Sequence, residues 1–406
     1  MSFDLAKIRA DFPILAEPIH GKRLVYLDSG ASAQKPVAVL DRMDWVHRHA
    51  YANVHRGLHT LANRATEAYE DGRKAVRRFL NAQRDEEIVF TKSASEAINL
   101  VASSFAGPRI AEGDEIVLTI MEHHSNIVPW HFHRERKGAV LKWVDVRDDG
   151  SFDIEAFERA LTPRTRMVAV THMSNVLGTV TPIKQIVELA HARGIPVLVD
   201  GSQGAVHLPV DVQELGVDFY VFTGHKLYGP TGIGVLYGKY DLLAEMQPYQ
   251  GGGEMIETVT LDGVSYNSPP HRFEAGTPPI VQAAGLGAAI DYVEGVGRAA
   301  AAAHEAELTA YARERLMRIN ALRLIGDAPG KGGIFSFEIE GAHAHDVSTI
   351  LDRYGIAVRA GTHCAQPLLK RFGVSSTCRA SFGLYTGKDD VDALVEGIEK
   401  ARSFFG

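Results

Sequence analysis

Seven short apolar runs, separated by stretches with helical periodicity, constrain the fold of this chain more than any other feature of its sequence. Several runs are nearly continuous in Val, Ile and Leu, which is typical of buried parallel strands. Segments 153–161 and 183–193 have the clearest helical pattern, and Gly194 marks the end of the second. This alternation predicts an α/β protein with a mostly parallel seven-stranded sheet. The predicted strands are 87–90, 115–120, 140–144, 166–171, 196–200, 218–222 and 234–237.

The C-terminal part of the chain has a different pattern, which predicts a smaller α+β domain. We place the domain boundary near residue 295 and expect the N-terminal arm to pack on the smaller domain. The predicted domains are an arm at 1–20, a large domain at 21–295 and a small domain at 296–406. The predicted elements of the small domain are helices 297–319, 345–354 and 388–405 and strands 332–340 and 356–359.

Charge and cysteine content exclude several classes of protein. The 406 residues include 43 Lys and Arg against 50 Asp and Glu, so we expect no nucleic-acid partner. No run of about 18 apolar residues occurs, so we expect no membrane span, and the charged first residues are unlike a signal peptide. The two cysteines, Cys364 and Cys378, are too few for a disulfide framework or a four-cysteine metal site. We therefore expect a cytoplasmic protein without a metal centre.

Two polar residues at predicted strand ends, Asp200 and Lys226, indicate a cofactor site. Ligands of open α/β sheets bind beyond the carboxyl ends of the strands. Each residue alone has an ordinary explanation, because Asp often caps a helix and Lys often lies on a surface loop. Together they suit pyridoxal phosphate, which needs a lysine for its aldehyde and a carboxylate for its ring nitrogen.

Other polar residues near strand ends are candidates for the remaining cofactor contacts. Ser95 opens a predicted helix, whose N-terminus suits a phosphate, although a serine there is also a common cap. Thr223 and His225 are further candidate phosphate donors, and Gln203 is a candidate for the ring hydroxyl. For His123 we favour stacking on the cofactor ring over metal ligation, because no cluster with zinc-site spacing lies nearby.

Longer motifs extend this pattern over essentially the whole chain. In their order and spacing they resemble the fold-type I pyridoxal-phosphate-dependent transferases and, more narrowly, the group II or SufS-type cysteine desulfurases. Each motif alone is weak, whereas the complete set is specific. The motifs occupy residues 26–36, 54–60, 121–129, 174–178, 200–203, 223–232, 272–278 and 359–365.

The resemblance implies a role for each matching residue. Lys226 would hold the aldehyde of the cofactor and move protons, and His123 would stack on the ring. Thr277 would reach the phosphate in the other subunit, which implies a homodimer. The other cofactor contacts would be Asp200 on the ring nitrogen, Gln203 on the phenolic oxygen, and Ser95, Thr223 and His225 on the phosphate. The substrate-binding residues would be Asn175, Arg359 and Arg379.

Cys364 lies in a short loop, between a predicted strand and a helix. A free cysteine is most often a small buried hydrophobic residue. In the family that this chain resembles, the corresponding thiol attacks the sulfur of L-cysteine and becomes a persulfide while alanine is released. Neighbouring cations favour the reactive thiolate, and we expect His363, Arg359 and Arg379 near it. For Cys378 we favour a structural role in a packed strand.

The loop that carries Cys364 is short, as it is in the group II enzymes that this chain resembles. The resemblance therefore implies a sulfur-acceptor protein of the SufE or SufU type, which comes to the site for iron–sulfur cluster assembly. Segment 250–259 resembles the family's β-hook, which lies near the partner's active site. The residues that match the entrance of the site are His55, Arg56, Glu96 and His363, for which ordinary polar surface contacts are the alternative. In some relatives a histidine at the position of His343 or His345 meets the zinc of the acceptor, although such a pair more often caps a helix.

Three alternatives to a desulfurase acting on L-cysteine stay open at this point. One is a lyase that prefers L-selenocysteine or cysteine sulfinate. Another is a noncatalytic pyridoxal-phosphate-binding protein, against which the intact Lys226, Asp200 and Cys364 argue. The third is a fold-type I aminotransferase, which would leave the loop at 359–364 unexplained.

Overall fold

The computed structural model describes residues 3–405 as a mixed α/β structure. The strands are β1 (Val25–Tyr26), β2 (Ile88–Thr91), β3 (Glu115–Thr119), β4 (Val140–Val144), β5 (Thr165–Thr171), β6 (Val197–Asp200), β7 (Phe219–Thr223), β8 (Gly234–Gly238), β9 (Ile256–Val259), β10 (Val264–Tyr266), β11 (Leu322–Leu324), β12 (Ile334–Ile339), β13 (Ile356–Ala357), β14 (Arg359–Gly361) and β15 (Thr377–Ser381). The helices are α1 (Leu5–Ala10), α2 (Val37–His49), α3 (Thr60–Leu80), α4 (Ala94–Leu100), α5 (Gly107–Arg109), α6 (Val128–Lys137), α7 (Ile154–Ala160), α8 (Ile183–His191), α9 (Gly204–His207), α10 (Val212–Leu215), α11 (Tyr240–Glu245), α12 (Ile280–Val296), α13 (Arg298–Met317), α14 (Ala344–Arg353), α15 (Gln366–Arg371) and α16 (Lys388–Arg402).

The central sheet has seven strands in the order β2-β8-β7-β6-β5-β3-β4. Strands β3 to β7 pair in parallel, and β8 is antiparallel to both of its neighbours. This confirms the predicted seven-stranded, mostly parallel sheet, with strand bounds within about two residues of those expected. The parallel pairing brings the carboxyl ends of β3, β5, β6 and β7 to one edge of the sheet.

Both faces of the central sheet are buried, which explains why its strands lack polar alternation. In β6 the side chains of Val197 and Val199 belong to the apolar cluster on one face, and Leu198 belongs to the cluster on the other. Helix α4 continues directly into a π-helix, Val101–Ala106, whose widened backbone is unusual in length. Since α4 begins immediately after β2, its N-terminus lies at the same edge as the strand ends.

A second, antiparallel sheet has the order β11-β12-β15-β14 and packs with α13, α14 and α16 in its own apolar cluster. The prediction of one strand at 356–359 is wrong in detail. The chain there forms β13, which pairs with β1, and then β14, which pairs with β15. Strand β15 is the packed strand expected around Cys378, and α15 is the helix expected after Cys364. Strand β11 was not predicted, because a three-residue segment carries too little periodicity to stand out.

The N-terminal residues contact the C-terminal part of the chain. Arg9 of α1 forms ion pairs with Asp389 and Asp390 at 2.7 and 2.5 Å. Phe12 packs against Tyr385 and also against Tyr228, which belongs to the predicted large domain. Gly297, with a φ of +93°, separates α12 from α13. The domain boundary near residue 295 stays a prediction. Within residues 3–405, no helix combines the length and the apolarity required to cross a membrane.

Candidate active site

One cavity of about 230 Å³ lies where the carboxyl ends of the central strands meet the C-terminal sheet. It brings together eleven of the residues singled out from the sequence. They are Ser95, His123, Asn175, Asp200, Thr223, His225, Lys226, Arg359, His363, Cys364 and Arg379. The lining residues that sequence reasoning did not single out are Gly30, Ala31, Ser93, Ala94, Ser125 and Ser202.

Asp200 is the last residue of β6, and its side chain is buried. The backbone N–H of Ser202 donates to Asp200 Oδ1 at 3.0 Å, and the Ser202 hydroxyl donates to the same oxygen at 2.6 Å. Both contacts fix the carboxylate through one oxygen. No donor among residues 3–405 contacts Oδ2, which is therefore available to pair with a cationic ring nitrogen.

Lys226 lies three residues after the end of β7 and lines the same cavity. Burial lowers its pKa to about 8, against the opposing effect of the Asp200 charge. Among residues 3–405, the amine has no hydrogen-bond acceptor within range, so it is free to react with an aldehyde. An amine with this pKa is unprotonated in about a tenth of molecules at pH 7, far more often than an ordinary lysine.

His123 lies in the loop that follows β3. Its Nδ1 accepts the backbone N–H of Ser125 at 3.1 Å. Burial, and then the positive charge of Lys226, lower the pKa of His123 to about 4. The ring is therefore neutral, and because Nδ1 is an acceptor, its proton is on Nε2. A neutral, flat ring suits stacking on a cofactor.

A buried hydrogen-bond network is centred on Glu122, the residue before His123. The fully buried Glu122 accepts the Thr119 hydroxyl at 2.6 Å, the Asn126 amide at 2.7 Å and the backbone N–H of Thr171 at 3.0 Å. Trp130 donates in turn to Asn126 Oδ1 at 3.1 Å. Burial raises the pKa of Glu122 to about 8. The network ties the ends of β3 and β5 together, and sequence reasoning missed it.

Hydroxyl and backbone donors gather at the N-terminus of α4. Ser93 caps this helix, and the Ser95 hydroxyl lies 2.6 Å from that of Ser125. Thr223 and His225 reach the cavity from the end of β7, and burial lowers the pKa of His225 to about 4. Free N–H groups at a helix start, with hydroxyls around them, form a site for a phosphate. The donor set therefore fits the phosphate group of pyridoxal phosphate.

Arg379 is buried in β15, and its guanidinium lines the cavity. Its Nη1 donates to the Asn175 carbonyl oxygen at 2.9 Å, while its Nε has no acceptor among the described residues. Burial lowers the pKa of Arg379 to about 10. A buried guanidinium at the wall of a cavity suits a carboxylate ligand. The Asn175 side chain itself donates to the His363 carbonyl oxygen at 2.8 Å.

Cys364 is exposed and lines the cavity, and its loop is hydrogen-bonded to the loop that follows β3. The backbone N–H of His124 donates to the Cys364 carbonyl oxygen at 2.7 Å. His363 and Cys364 have positive φ angles of 51° and 54°, an uncommon conformation for residues other than glycine. The His363 ring points inward to the Thr377 hydroxyl at 2.8 Å, and burial lowers its pKa to about 3. His363 is thus neutral, and the cations facing the thiol are Arg359, Arg379 and Lys226.

Five predicted residues lie outside this cavity. Gln203 donates to the Gly30 carbonyl oxygen at 2.7 Å, and Thr277 is exposed on the surface. The other three all contact the segment that precedes the β9–β10 hairpin. His55 and Arg56 lie 3.9 and 3.1 Å from Glu254, and Gln250 donates to Glu96 at 3.2 Å.

The second cysteine, Cys378, differs from Cys364 in its burial and in its contacts. Cys378 is buried in β15, its thiol donates to the Ala344 carbonyl oxygen at 3.1 Å, and burial raises its pKa to about 12. Across residues 3–405, no group of three or more His, Cys, Asp and Glu side chains is arranged to hold a metal ion.

Comparison with known proteins gives a consistent result. The family model for class-V aminotransferases matches residues 25–394. A probable cysteine desulfurase of Halalkalibacterium halodurans is 50% identical over 400 residues, with 98% of each chain covered. A cysteine desulfurase of Pectobacterium atrosepticum is 49% identical over 407 residues, with both chains fully covered. The crystal structure of the cysteine desulfurase CsdA from Escherichia coli superposes with a TM-score of 0.93 at 41% identity, covering 100% of both chains.

Proposed function

This chain belongs to the aminotransferase class-V family, and we propose that it is a cysteine desulfurase that uses pyridoxal phosphate to remove sulfur from L-cysteine. One observation carries this conclusion. A single cavity has Lys226 and Asp200 on one wall and the exposed thiol of Cys364 on the other. An aminotransferase needs the first two residues but has no use for the third.

The first wall fits the cofactor. Pyridoxal phosphate, when bound, supplies an electron sink that weakens bonds to the α and β carbons of an amino acid. Lys226 would hold the aldehyde carbon and, once displaced by substrate, take and return the proton at the substrate α carbon. The free Oδ2 of Asp200 would keep the ring nitrogen protonated, and the neutral His123 would cover the ring.

The second wall supplies the sulfur acceptor. The Cys364 thiolate attacks the sulfur of the substrate, so a sulfur–sulfur bond forms as the bond between sulfur and the β carbon breaks. The carbon retains the electron pair of the broken bond and takes a proton, which yields L-alanine. Cys364 is left as a persulfide. The overall exchange of L-cysteine and one thiol for alanine and a persulfide is balanced without any external oxidant.

We propose a homodimer as the active unit. Thr277 lies on the surface rather than in the cavity of its own chain, which agrees with a role in the other subunit. Large apolar side chains are fully exposed at Leu58 and at Leu261 in the β9–β10 hairpin. Burial of such side chains against a second copy would remove them from water.

The persulfide would pass to an acceptor protein of the SufE or SufU type for iron–sulfur cluster assembly. Two observations support this. The thiol of Cys364 is exposed, so another protein can reach it. Its loop is hydrogen-bonded to His124 and Asn175, so the persulfide cannot move far from the cavity by itself. A thiol that must accept sulfur has to stay reduced, which suits the cytoplasm.

The proposal is tested by measuring alanine formation from L-cysteine and from L-selenocysteine, by the wild type and by Cys364→Ser. We expect cysteine turnover to fall by at least about 100-fold in the variant, while selenocysteine turnover survives because selenide can leave without a thiol acceptor. Cys378→Ser is the matched control and should keep both activities. If Cys364→Ser turns over cysteine at the wild-type rate, the persulfide route is wrong and a lyase takes its place.

A further inference from the structure

His124 joins the loop that follows β3 to the loop that carries Cys364. Its backbone N–H donates to the Cys364 carbonyl oxygen at 2.7 Å. Its ring Nε2 accepts the backbone N–H of Gln366 at 3.2 Å. One residue therefore holds the chain on both sides of Ala365, directly after the reactive thiol. His124 is not among the residues that line the cavity, so we assign it no direct part in the chemistry.

The Cys364 loop needs such contacts because its backbone conformation is unfavourable. His363 and Cys364 have φ angles of 51° and 54°, in the left-handed region that residues other than glycine rarely adopt. A conformation of this kind persists where surrounding contacts hold it. The Cys364 thiol is exposed and has no hydrogen-bond partner among residues 3–405. The direction of the thiol is thus set by the backbone, which its hydrogen bonds hold in place.

His124 can hold the Cys364 loop because it is itself anchored to the protein interior. It begins a short 3-10 turn, His124–Asn126, and Asn126 at the end of that turn is fully buried. The Asn126 side chain donates to the buried Glu122 at 2.7 Å. The contact with the Cys364 loop therefore starts from a fixed point.

The charge state of His124 suits the contact with Gln366. Burial lowers the pKa of His124 below its ordinary value of 6.5, so the ring is neutral at neutral pH. Because Nε2 accepts a hydrogen bond, the proton of the neutral ring lies on Nδ1. A neutral ring adds no charge beside the thiol, so His124 can act on Cys364 only through geometry.

We propose that His124 is a positioning residue for Cys364, which keeps the exposed thiol directed into the cavity. The preceding residue, His123, lines that cavity, so one anchored loop would align the cofactor side with the thiol side. This inference rests on the proposed function, because Cys364 needs a fixed direction only if it attacks the sulfur of a bound substrate.

The first test compares holoenzymes of the wild type, His124→Leu and His124→Gln. Leucine removes the acceptor, whereas glutamine keeps an oxygen that can accept the Gln366 N–H. We expect His124→Leu to lower kcat for alanine formation from L-cysteine about tenfold, with KM changed less than about twofold, because one hydrogen bond of the productive loop is lost. His124→Gln should stay within about threefold of the wild type. Selenocysteine turnover does not need the thiol acceptor and should change less than about twofold in both variants.

Two controls isolate the cause. His131→Leu is the matched control, because His131 lies in α6, outside the cavity, with no side-chain hydrogen bond among the described residues. It should keep both activities. In a Cys364→Ser background, His124→Leu should lower the residual cysteine turnover by less than about twofold, since a residue that acts through the thiol has no effect without it.

Two results would overturn the inference. An equal fall in cysteine and selenocysteine turnover in His124→Leu would mean that His124 only supports the fold. Wild-type kcat for cysteine in the same variant would mean that the thiol keeps its direction without His124.

Amide hydrogen exchange separates failure of this inference from failure of the proposed function, because it needs no turnover. We expect His124→Leu to speed exchange in residues 362–369 at least about threefold and to leave residues 377–381 of β15 unchanged. Unchanged exchange in residues 362–369 refutes the role of His124 even if the wild type acts on neither substrate. If the wild type releases no alanine from cysteine, the proposed function fails, and the exchange rates still decide whether His124 holds the loop.

Discussion

The two walls of the cavity differ in construction: the wall with Asp200 and Lys226 is buried, and the wall with Cys364 is exposed. Asp200 and Lys226 follow buried parallel strands, and the His123 loop between them rests on the fully buried Glu122. Cys364, in contrast, lies in an exposed loop after a three-residue strand, with two successive residues at positive φ. The difference matches the two tasks. Chemistry on a cofactor needs fixed groups and little water, whereas a thiol that passes sulfur on, as we propose, has to be accessible from outside the cavity.

The largest expected effect is at the wall of the cavity that carries Asp200 and Lys226. Lys226→Ala should abolish the visible absorption band of the lysine-linked cofactor and lower cysteine turnover by more than about 10³-fold, because no other amine lines the cavity within the described chain. Absorption spectra and alanine assays measure both effects.

Lys35 provides the control for that experiment. It is a half-buried lysine whose pKa burial also lowers to about 8, but it donates to the carbonyl oxygens of Ala33 and His225 and does not line the cavity. Lys35→Met should keep the band. Loss of the band from this variant and not from Lys226→Ala would reverse the assignment.

Acid should destabilise the molecule through buried histidines on both walls. Burial lowers the pKa of His123 and His225 to about 4 and that of His363 to about 3, below the ordinary value of 6.5. Their neutral forms contribute stability that is present above pH 6.5 and lost as the pH falls towards 4, since the unfolded chain binds the protons first.

This comparison is sharpened by a variant at the wall of the cavity that carries Cys364. The difference in unfolding free energy between pH 7 and pH 4.5 should be smaller in His363→Asn than in the wild type, by about 2.5 kcal/mol. Urea unfolding at the two pH values measures it, with His47→Gln, on the exposed face of α2, as the control. An unchanged difference in His363→Asn would show that this ring does not titrate with unfolding.

The smallest expected effect is the difference between the two cysteines in how much their substitution lowers the unfolding free energy. Cys378→Ala should lower the unfolding free energy by about 1–2 kcal/mol because it leaves a small cavity beneath β15. Cys364→Ala should change it by less than about 0.5 kcal/mol, as expected for an exposed side chain. Thermal unfolding gives both values. If the two substitutions lowered the unfolding free energy equally, the view that Cys378 stabilises the fold and Cys364 does not would be wrong.

Much of the fold was predictable because its signals are local. Each buried strand of the central sheet is an apolar run, and a run ends where polar residues begin. Asp200 and Thr223 were placed correctly at one edge of the sheet because the carboxyl ends of parallel strands converge there. The split at Val358 between β13 and β14 was not predictable, since it depends on which distant strand each part pairs with.

The sequence by itself determined the class of fold, the identity of the chemical groups and their resemblance to a family. Only the tertiary structure decided how those groups are used. In the folded chain the His363 ring is buried, and the Gln203 amide donates to the Gly30 carbonyl oxygen. Asp28 forms ion pairs with two arginines that lie more than 300 residues away in the sequence. The physical reason is that local propensity acts over a few residues, whereas burial and ion pairing depend on contacts between segments far apart in the chain.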